Sequence, residues 1–471
     1  MSDESKLSVV ILAAGEGTRM RSDTAKVLFP VCGRPMIEHI LNAASAVRPD
    51  TIVVVVGHKG EEVRREITGS WAESHHMEGR LEFAWQLSQK GTGHAAACAR
   101  SHLPGDCGHV MILCGDTPLI TGEMLQTFVQ FHLSEETGLS FITTVVDDPG
   151  AYGRVRRDCH GRVARIVEAN DLLPGDEQIR EVNAGIYLVR KDLFDSLLSR
   201  LDDNNAKHEF YLTDVVEMAV QDGFKVSSFV WQDSSVVQGV NDRHALALAE
   251  ARLREAIIKD LCLSGVTVRD PQNTYVDYGV KVGRNTVLEP GTFLRGRTRI
   301  GEGCIIGPCS EINDSLVGDN SKVWFSVVED SEIKKRVEVG PYSHIRPGTC
   351  IEPEVLVGNF AEVKNCVIGS GSKVHHHSYL GDSVIGQRVN IGAGTVTVNY
   401  DGISKHKTVI EDGAFIGCNA NLIAPVKIGK GAYVAAGSTI TSDVPGGSLG
   451  IARERQANKE GWVAKRTEKM D

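Results

Sequence analysis

Between Ser8 and about Ser228, short unalternating apolar runs rich in β-branched residues (SVVILAA, TIVVVVG, HVMILCGD, LSFITTVV, NAGIYLV) are separated by amphipathic stretches such as MIEHILNAASAV. Runs of that kind predict strands buried on both faces. Their alternation with helices predicts a mixed, mostly parallel sheet covered by helices, an α/β domain over residues 1–241. Leu246, Ala249, Leu253, Ile257 and Leu261 then step by three and four residues along one face, which predicts a long linker helix over 242–264. After Val266 the period becomes six. Apolar–Gly pairs recur at Ile300-Gly301, Ile306-Gly307, Val317-Gly318, Val339-Gly340, Val357-Gly358, Ile385-Gly386, Ile391-Gly392 and Ile416-Gly417, in phase within runs and slipping between them. Such a repeat predicts an all-β domain over residues 265–471, a parallel β-helix in which each hexad is one side of a triangular coil. The apolar residue is expected to face into the prism and the glycine to turn the corner. The gap from Gly392 to Gly417, which contains NYDGISKHKT, predicts a loop leaving the prism, where binding residues usually sit.

Bulk properties narrow the choice of partners. A chain of 471 residues exceeds one hydrophobic core, in keeping with the change of period. A net charge of −10 lacks the basic field that nucleic acid requires, so no nucleic-acid partner is expected and any anionic ligand must meet individually placed Lys and Arg side chains. No segment offers the roughly 18 uninterrupted apolar residues of a membrane span, and the opening MSDESKLSVV has no signal-peptide apolar region. The eleven cysteines are scattered without a CxxC pair, which argues against a disulfide framework or a structural zinc site. A cytoplasmic protein without membrane association is expected.

The first candidate site follows the first strand. Gly15-x-Gly17-Thr18-Arg19 places consecutive backbone N–H groups where a phosphate can be held, although a turn of this kind is also common without a ligand. It is not a dinucleotide fingerprint, because Met20 stands at the third glycine position. Arg19 and Lys26 lie in a segment that reads as a buried loop, where cations need anionic partners. Asp116, just beyond the strand HVMILC, sits where a parallel sheet opens its ligand crevice; it suits Mg²⁺, or else caps a turn.

In order along essentially the whole chain, LAAGEGTRM with Lys26, QKGTGHA, CGDTPLI, YGRV, VEAND, NAGIY and GVNDR resemble the bifunctional N-acetylglucosamine-1-phosphate uridyltransferase/glucosamine-1-phosphate acetyltransferase family. The resemblance implies a Rossmann-like nucleotidyltransferase domain followed by a left-handed parallel β-helix. It implies that Leu12, Ala13 and Gly15 hold UTP, that Arg19 and Lys26 act on its triphosphate, and that Gln86, Gly91 and Thr92 contact uracil. Gly153, Glu168, Asn183 and Asn241 would bind N-acetylglucosamine 1-phosphate, and Asp116 with Asn241 would hold Mg²⁺. A sugar-phosphate oxygen attacking the α-phosphorus of UTP needs alignment and charge neutralisation rather than a base. Two positions depart from the family: Ala25 stands where Pro is usual, and Cys114 where some members have Tyr.

The second candidate site is VHHHSYLGD. Strand alternation lets at most His375 and His377 share a face, and a solvated histidine is the ordinary reading of each. By the resemblance, His376 is the base that deprotonates the amine of glucosamine 1-phosphate as it attacks the acetyl-CoA thioester, with Glu362 orienting its ring. Arg346 and Lys364 would bind the sugar phosphate, and Tyr379 and Asn390 the sugar. Ala393, Asn399, Tyr400, Cys418, Ala436 and Arg453 would line the acetyl-CoA groove, Cys418 replacing a serine of some members. An acyl-enzyme on Cys366 or Cys418 stays open. The family relation further implies a homotrimer and a product, UDP-N-acetylglucosamine, that feeds cell-wall synthesis. Two rival readings are a monofunctional nucleotidyltransferase with a β-helix spacer and a non-catalytic regulatory subunit.

Overall fold

The computed structural model describes residues 6–72 and 80–467. It divides into two compact units, Met1–Leu253 and Arg254–Asp471. The division falls inside the helix Arg243–Leu263. Ala245, Leu246, Ala249 and Leu253 pack with Met20, Phe29, Val31 and Met36 of the first unit, whereas Ile257, Ile258 and Leu261 belong to the core of the second. The helix thus contributes residues to both cores. No helix among the described residues is long and apolar enough to cross a membrane.

In the first unit a nine-stranded sheet runs in the order Val226–Val230, Leu139–Val145, Glu181–Arg190, His109–Cys114, Leu7–Ala13, Thr51–Val56, Leu81–Trp85, with Arg154–Arg157 and Val163–Val167 attached beside Glu181–Arg190. Alternate residues of the central strand enter different cores: Val9 and Ile11 pack with Ile37 and Ile40, and Val10 with Ala96 and Val110. Two-sided burial explains why the strands read as unalternating runs. The strand Leu7–Ala13 is parallel to Thr51–Val56 on one side and to His109–Cys114 on the other, so the chain departs from it in both directions. That switch point opens a crevice beyond the carboxyl ends of the strands. The strand Glu181–Arg190 runs antiparallel and is irregular between Asn183 and Tyr187, with Gly185 at φ 75°.

The second unit is a triangular prism of three parallel sheets with 11, 10 and 9 strands. In one sheet Ile306, Val323, Val339, Val357, Val374, Ile391, Ile416 and Val434 stack coil upon coil, none more than 2% exposed. The phase slips arise because coils differ by one residue: Ile306 is level with Val323, but Val339 with Val357. Ile391 is level with Ile416, and the intervening chain leaves the prism as expected; Tyr400 and Lys405 bridge the neck of the excursion and Ile403 is 91% exposed.

Gly307 and Gly340 are left-handed, at φ 95° and 121°, but other repeat glycines do not turn the corners. A Cβ on Gly358 would lie 1.9 Å from the carbonyl oxygen of His375, one on Gly386 2.5 Å from the Asp412 carboxylate, and one on Gly417 2.5 Å from the nitrogen of Ala436. These glycines are required by the close approach of the next coil, and their φ angles are not left-handed. Left-handed corners fall instead on residues such as Asn285, Asn320, Phe325, Tyr342, Phe360 and His377. Hydroxyls fill the second inward position: Ser326 donates to the Trp324 carbonyl at 2.8 Å and accepts from the Ser343 amide at 3.1 Å.

Candidate functional site

Beyond the central strand, Leu12, Ala13, Ala14 and Gly15 line a cavity of about 290 Å³ with Lys26, Gln86, Gln89, Gly91, Thr92, Cys114, Asp116 and Glu209. Lys26 forms an ion pair with Asp116, both side chains being mostly buried, and its ammonium lies 3.3 Å from Oδ1 of Asn241. Arg19 donates to the same Asn241 oxygen at 3.0 Å. The loop differs from expectation: Gly15 to Arg19 is largely exposed, with only Lys26 drawn inward, because Met20 rather than Arg19 takes the buried position. Gly17 is left-handed at φ 64°, and a Cβ on it would strike the Lys26 side chain at 2.6 Å.

Asp116 and Asn241 present a carboxylate and an amide carbonyl, both hard oxygen donors, to one ammonium group. That donor set fits Mg²⁺, which takes one or two protein oxygens and completes its shell with phosphate and water. Among the described residues no group of three or more His, Cys, Asp or Glu could hold a metal, so the protein's share of the shell would be small.

At the other end of the cavity, Gln86 donates from Nε2 to the Gly91 carbonyl and lies 3.0 Å from Nδ1 of His94. Gly91 has φ 98°, and a Cβ there would meet the Phe210 carbonyl at 2.6 Å, so the loop closes only on glycine. Gln89 donates to the Ala14 carbonyl at 2.8 Å. The sugar-side residues form a neighbouring cluster. Asn183 donates its backbone N–H to the Gly153 carbonyl at 2.9 Å and its side chain to Tyr187. Glu168 accepts from Thr213 at 2.9 Å, and burial raises its pKa. Cys114 joins the two clusters, its thiol facing the Gly185 carbonyl at 3.6 Å; burial pushes it up to about 12, so it stays a neutral thiol.

In the second unit Arg346, Glu362, Lys364 and Tyr379 belong to strands of one sheet, Glu362 level with Tyr379 and Arg346 with Lys364. Arg346 binds Glu362 at 2.6 Å. Lys405, from the excursion, stands against Lys364, and this second cation together with Arg346 lowers the Lys364 pKa. His376 ends a strand of the adjacent sheet, level with Asn359, whose Oδ1 accepts from Nδ1 at 2.6 Å. This bond selects the tautomer that leaves Nε2 unprotonated on an exposed ring. Glu362 therefore does not orient His376. It lies past the corner, on the next sheet, and is held by Arg346; the orienting group is Asn359. His377 occupies the left-handed corner at φ 46°, so strand alternation ends before it and it shares no strand face with His375.

Above His376 the same edge continues coil by coil: Gly394 donates to the His377 carbonyl, Asn419 to Ala393 and Gly437 to Cys418. Ala393, Cys418 and Ala436 thus climb one edge, with Ala452 and the exposed Arg453 following level with Thr439. Asn399 is buried and donates to Asp382, and Tyr400 stands exposed at the neck of the excursion. Asn390 is level with Lys373 and Phe415, on a different sheet from Tyr379, so one chain does not bring those two together. Cys366 is buried, and its burial raises the thiol to about 11, a poor nucleophile; Cys418 is exposed. Asn359, Gln89, Glu209 and Lys405 escaped the sequence reading. The excursion signalled Lys405 and the motif QKGTGHA contains Gln89; Asn359 and Glu209 lie in stretches whose period marks them as ordinary strand or loop.

A family model described as nucleotidyl transferase matches residues 8–242. One described as bacterial transferase hexapeptide (six repeats) matches residues 279–314 and 407–442, and one described as GMPPB C-terminal domain matches 327–403. The chain is similar to the bifunctional protein GlmU of Geobacillus sp. (strain WCH70), at 47% identity over 459 residues covering 97% of this chain and 98% of that protein. It is 47% identical over 458 residues to the protein of the same name from Pelobacter propionicus, with the same coverage, and 42% identical over 460 residues to that of Listeria monocytogenes serotype 4b, covering 98% of both.

Proposed function

We propose, from the premise that this chain belongs to the bifunctional GlmU family, how its residues divide two reactions that together make UDP-N-acetylglucosamine. At the second unit glucosamine 1-phosphate is acetylated from acetyl-CoA; at the first, N-acetylglucosamine 1-phosphate is coupled to UTP with release of pyrophosphate. The observation that supports the residue assignment is that two centres of different character lie in different units: Lys26 and Arg19 gathered on Asp116 and Asn241, and a tautomer-fixed histidine.

In the nucleotidyl transfer Leu12, Ala13 and Gly15 border the nucleotide, Gln86, Gly91 and Thr92 meet the uracil, and Lys26 and Arg19 turn from Asp116 and Asn241 to the triphosphate. Gly153, Glu168, Asn183 and Asn241 hold the acetylated sugar phosphate, whose oxygen forms a bond to the α-phosphorus as the bond to pyrophosphate breaks. Asp116 and Asn241 would hold Mg²⁺, which when bound neutralises triphosphate charge. Positioning and charge carry this step, in keeping with the pairing of the cavity carboxylate Asp116 to Lys26.

In the acetyl transfer Arg346, Lys364 and Lys405 bind the sugar phosphate and Tyr379 the sugar. His376 Nε2 takes the proton of the 2-amino group as its nitrogen attacks the thioester carbonyl; the C–S bond breaks and the thiolate leaves, taking up a proton. Ala393, Asn399, Tyr400, Cys418, Ala436 and Arg453 form the acetyl-CoA groove. Asn390, on another sheet, reaches the amino sugar of a neighbouring chain, which makes the working form a homotrimer with sites between prisms.

His376→Ala should abolish thiol release from acetyl-CoA with glucosamine 1-phosphate and spare pyrophosphate release. Asp116→Ala should do the reverse. Loss of both activities in either folded variant overturns the assignment, and a prism that serves only as a spacer predicts no thiol release from the unaltered protein.

A further inference from the structure

We infer that His94 is a positioning residue for base selection: it fixes the Gln86 amide so that its carbonyl oxygen, and not its NH₂ group, faces the base. This rests on the assignment of Gln86 to the base of UTP.

The orientation of the amide follows from its neighbours. The terminal Gln86 atom next to the Gly91 carbonyl, at 3.0 Å, must be the nitrogen, since a carbonyl oxygen only accepts. The same nitrogen lies 3.0 Å from His94 Nδ1, which must then carry a lone pair and accept the second amide proton. The imidazole proton is left on Nε2, which faces the Cys98 sulfur at 4.0 Å, one turn along the same helix. Both protons of the Gln86 amide are thereby committed to protein acceptors. Its Oε1 makes no hydrogen bond among the described residues and is not among the sealed, unsatisfied atoms, while Gln86 itself lines the cavity. Only an acceptor is offered to the ligand.

A fixed acceptor suits the N3–H of uracil. Cytosine carries a lone pair at that ring position and would meet oxygen with lone pair. Gly91 supplies one anchor by its backbone, but a single anchor leaves the amide free to pivot. His94 supplies the second, and its ring is itself set against Phe210 at a centroid distance of 6.3 Å.

The test compares kcat/KM for UTP and CTP, by pyrophosphate release, in the full-length protein carrying His94→Ala, His94→Asn or Gln86→Ala. A retained kcat with UTP and a thermal unfolding curve matching the parent's report that the first unit of each variant is folded. The loss of one buried hydrogen bond predicts that His94→Ala raises KM for UTP about tenfold, leaves kcat within about twofold, and lowers the UTP/CTP ratio about tenfold. Asn, whose Oδ1 replaces Nδ1 as the acceptor, should restore the ratio. An unchanged ratio in His94→Ala with a lost ratio in Gln86→Ala overturns the role of His94 alone. Asn behaving as Ala overturns it too, in favour of plain packing. If Gln86→Ala also leaves KM and the ratio unchanged, the base-contact assignment itself fails.

Discussion

Replacing Gly358 by alanine tests the reason for the hexad glycines. The new Cβ would lie 1.9 Å from the carbonyl oxygen of His375, 2.7 Å from its carbon and 3.0 Å from its Cα. Since ordinary contact begins near 3.4 Å, the neighbouring strand must retreat by over an ångström. The bonds flanking this point, Leu356 N–H to the Ser372 carbonyl and His377 N–H to the Asn359 carbonyl, would be broken or stretched. Two such bonds at about 1 kcal/mol each, with about 1–3 kcal/mol of overpacking, sum to roughly 4 kcal/mol. For a unit of this size that lowers Tm by about 8–16 °C. The displaced strand carries His376, so acetyl transfer should fall about 100-fold, while nucleotidyl transfer in the other unit stays within about twofold. Calorimetry with both activity assays reads these effects. Gly413→Asn is the control. Gly413 has φ +68° with nothing within 4 Å of a built Cβ, and Asn already occupies left-handed corners at Asn285 and Asn320. It should cost about 0.5 kcal/mol or less. If Gly358→Ala melted within about 1 °C of the parent while Gly413→Asn did not, the glycines would serve the corners after all.

Stability should also depend on His132, which is buried; burial, reinforced by the positive charge available on His109, depresses its pKa from 6.5 to about 4. The unfolded chain therefore binds more protons between those values, so this contribution is complete above about pH 6.5 and is lost as pH falls towards 4. Urea unfolding at pH 5 should show about 2 kcal/mol less stability from this group than at pH 7.5. His132→Leu, which leaves Thr137 and Ser140 bonded to each other at 2.7 Å, should reduce that slope, and an equal slope in the variant would refute the account. Lys405→Met removes the cation beside Lys364 and, on the proposed phosphate role, should raise KM for glucosamine 1-phosphate about tenfold, with little change in KM for acetyl-CoA. Equal increases in both would place Lys405 outside the sugar-phosphate site.

The sequence by itself determined the architecture. Burial on both faces writes itself as β-branched runs in the first unit, and coil stacking writes itself as period six in the second, because each position's environment repeats along the chain. Residue chemistry marked Lys26 and Asp116, while Gln86 and His376 were marked only by the resemblance to the family. What only the tertiary structure decided were pairings between residues that repeat or lie far apart. Glu362 is nearer His376 in sequence than Asn359 is, yet the corner between them sends Glu362 to Arg346 and leaves Asn359 level with the imidazole. Hexad glycines such as Gly358 and Gly417 look like turn residues, but the constraint on them is the backbone of the next coil, 17 or 18 residues away at Val357–Val374 and Val339–Val357. The helix read as a linker proved to be divided between two cores, since periodicity tells which face is apolar and not what that face packs against.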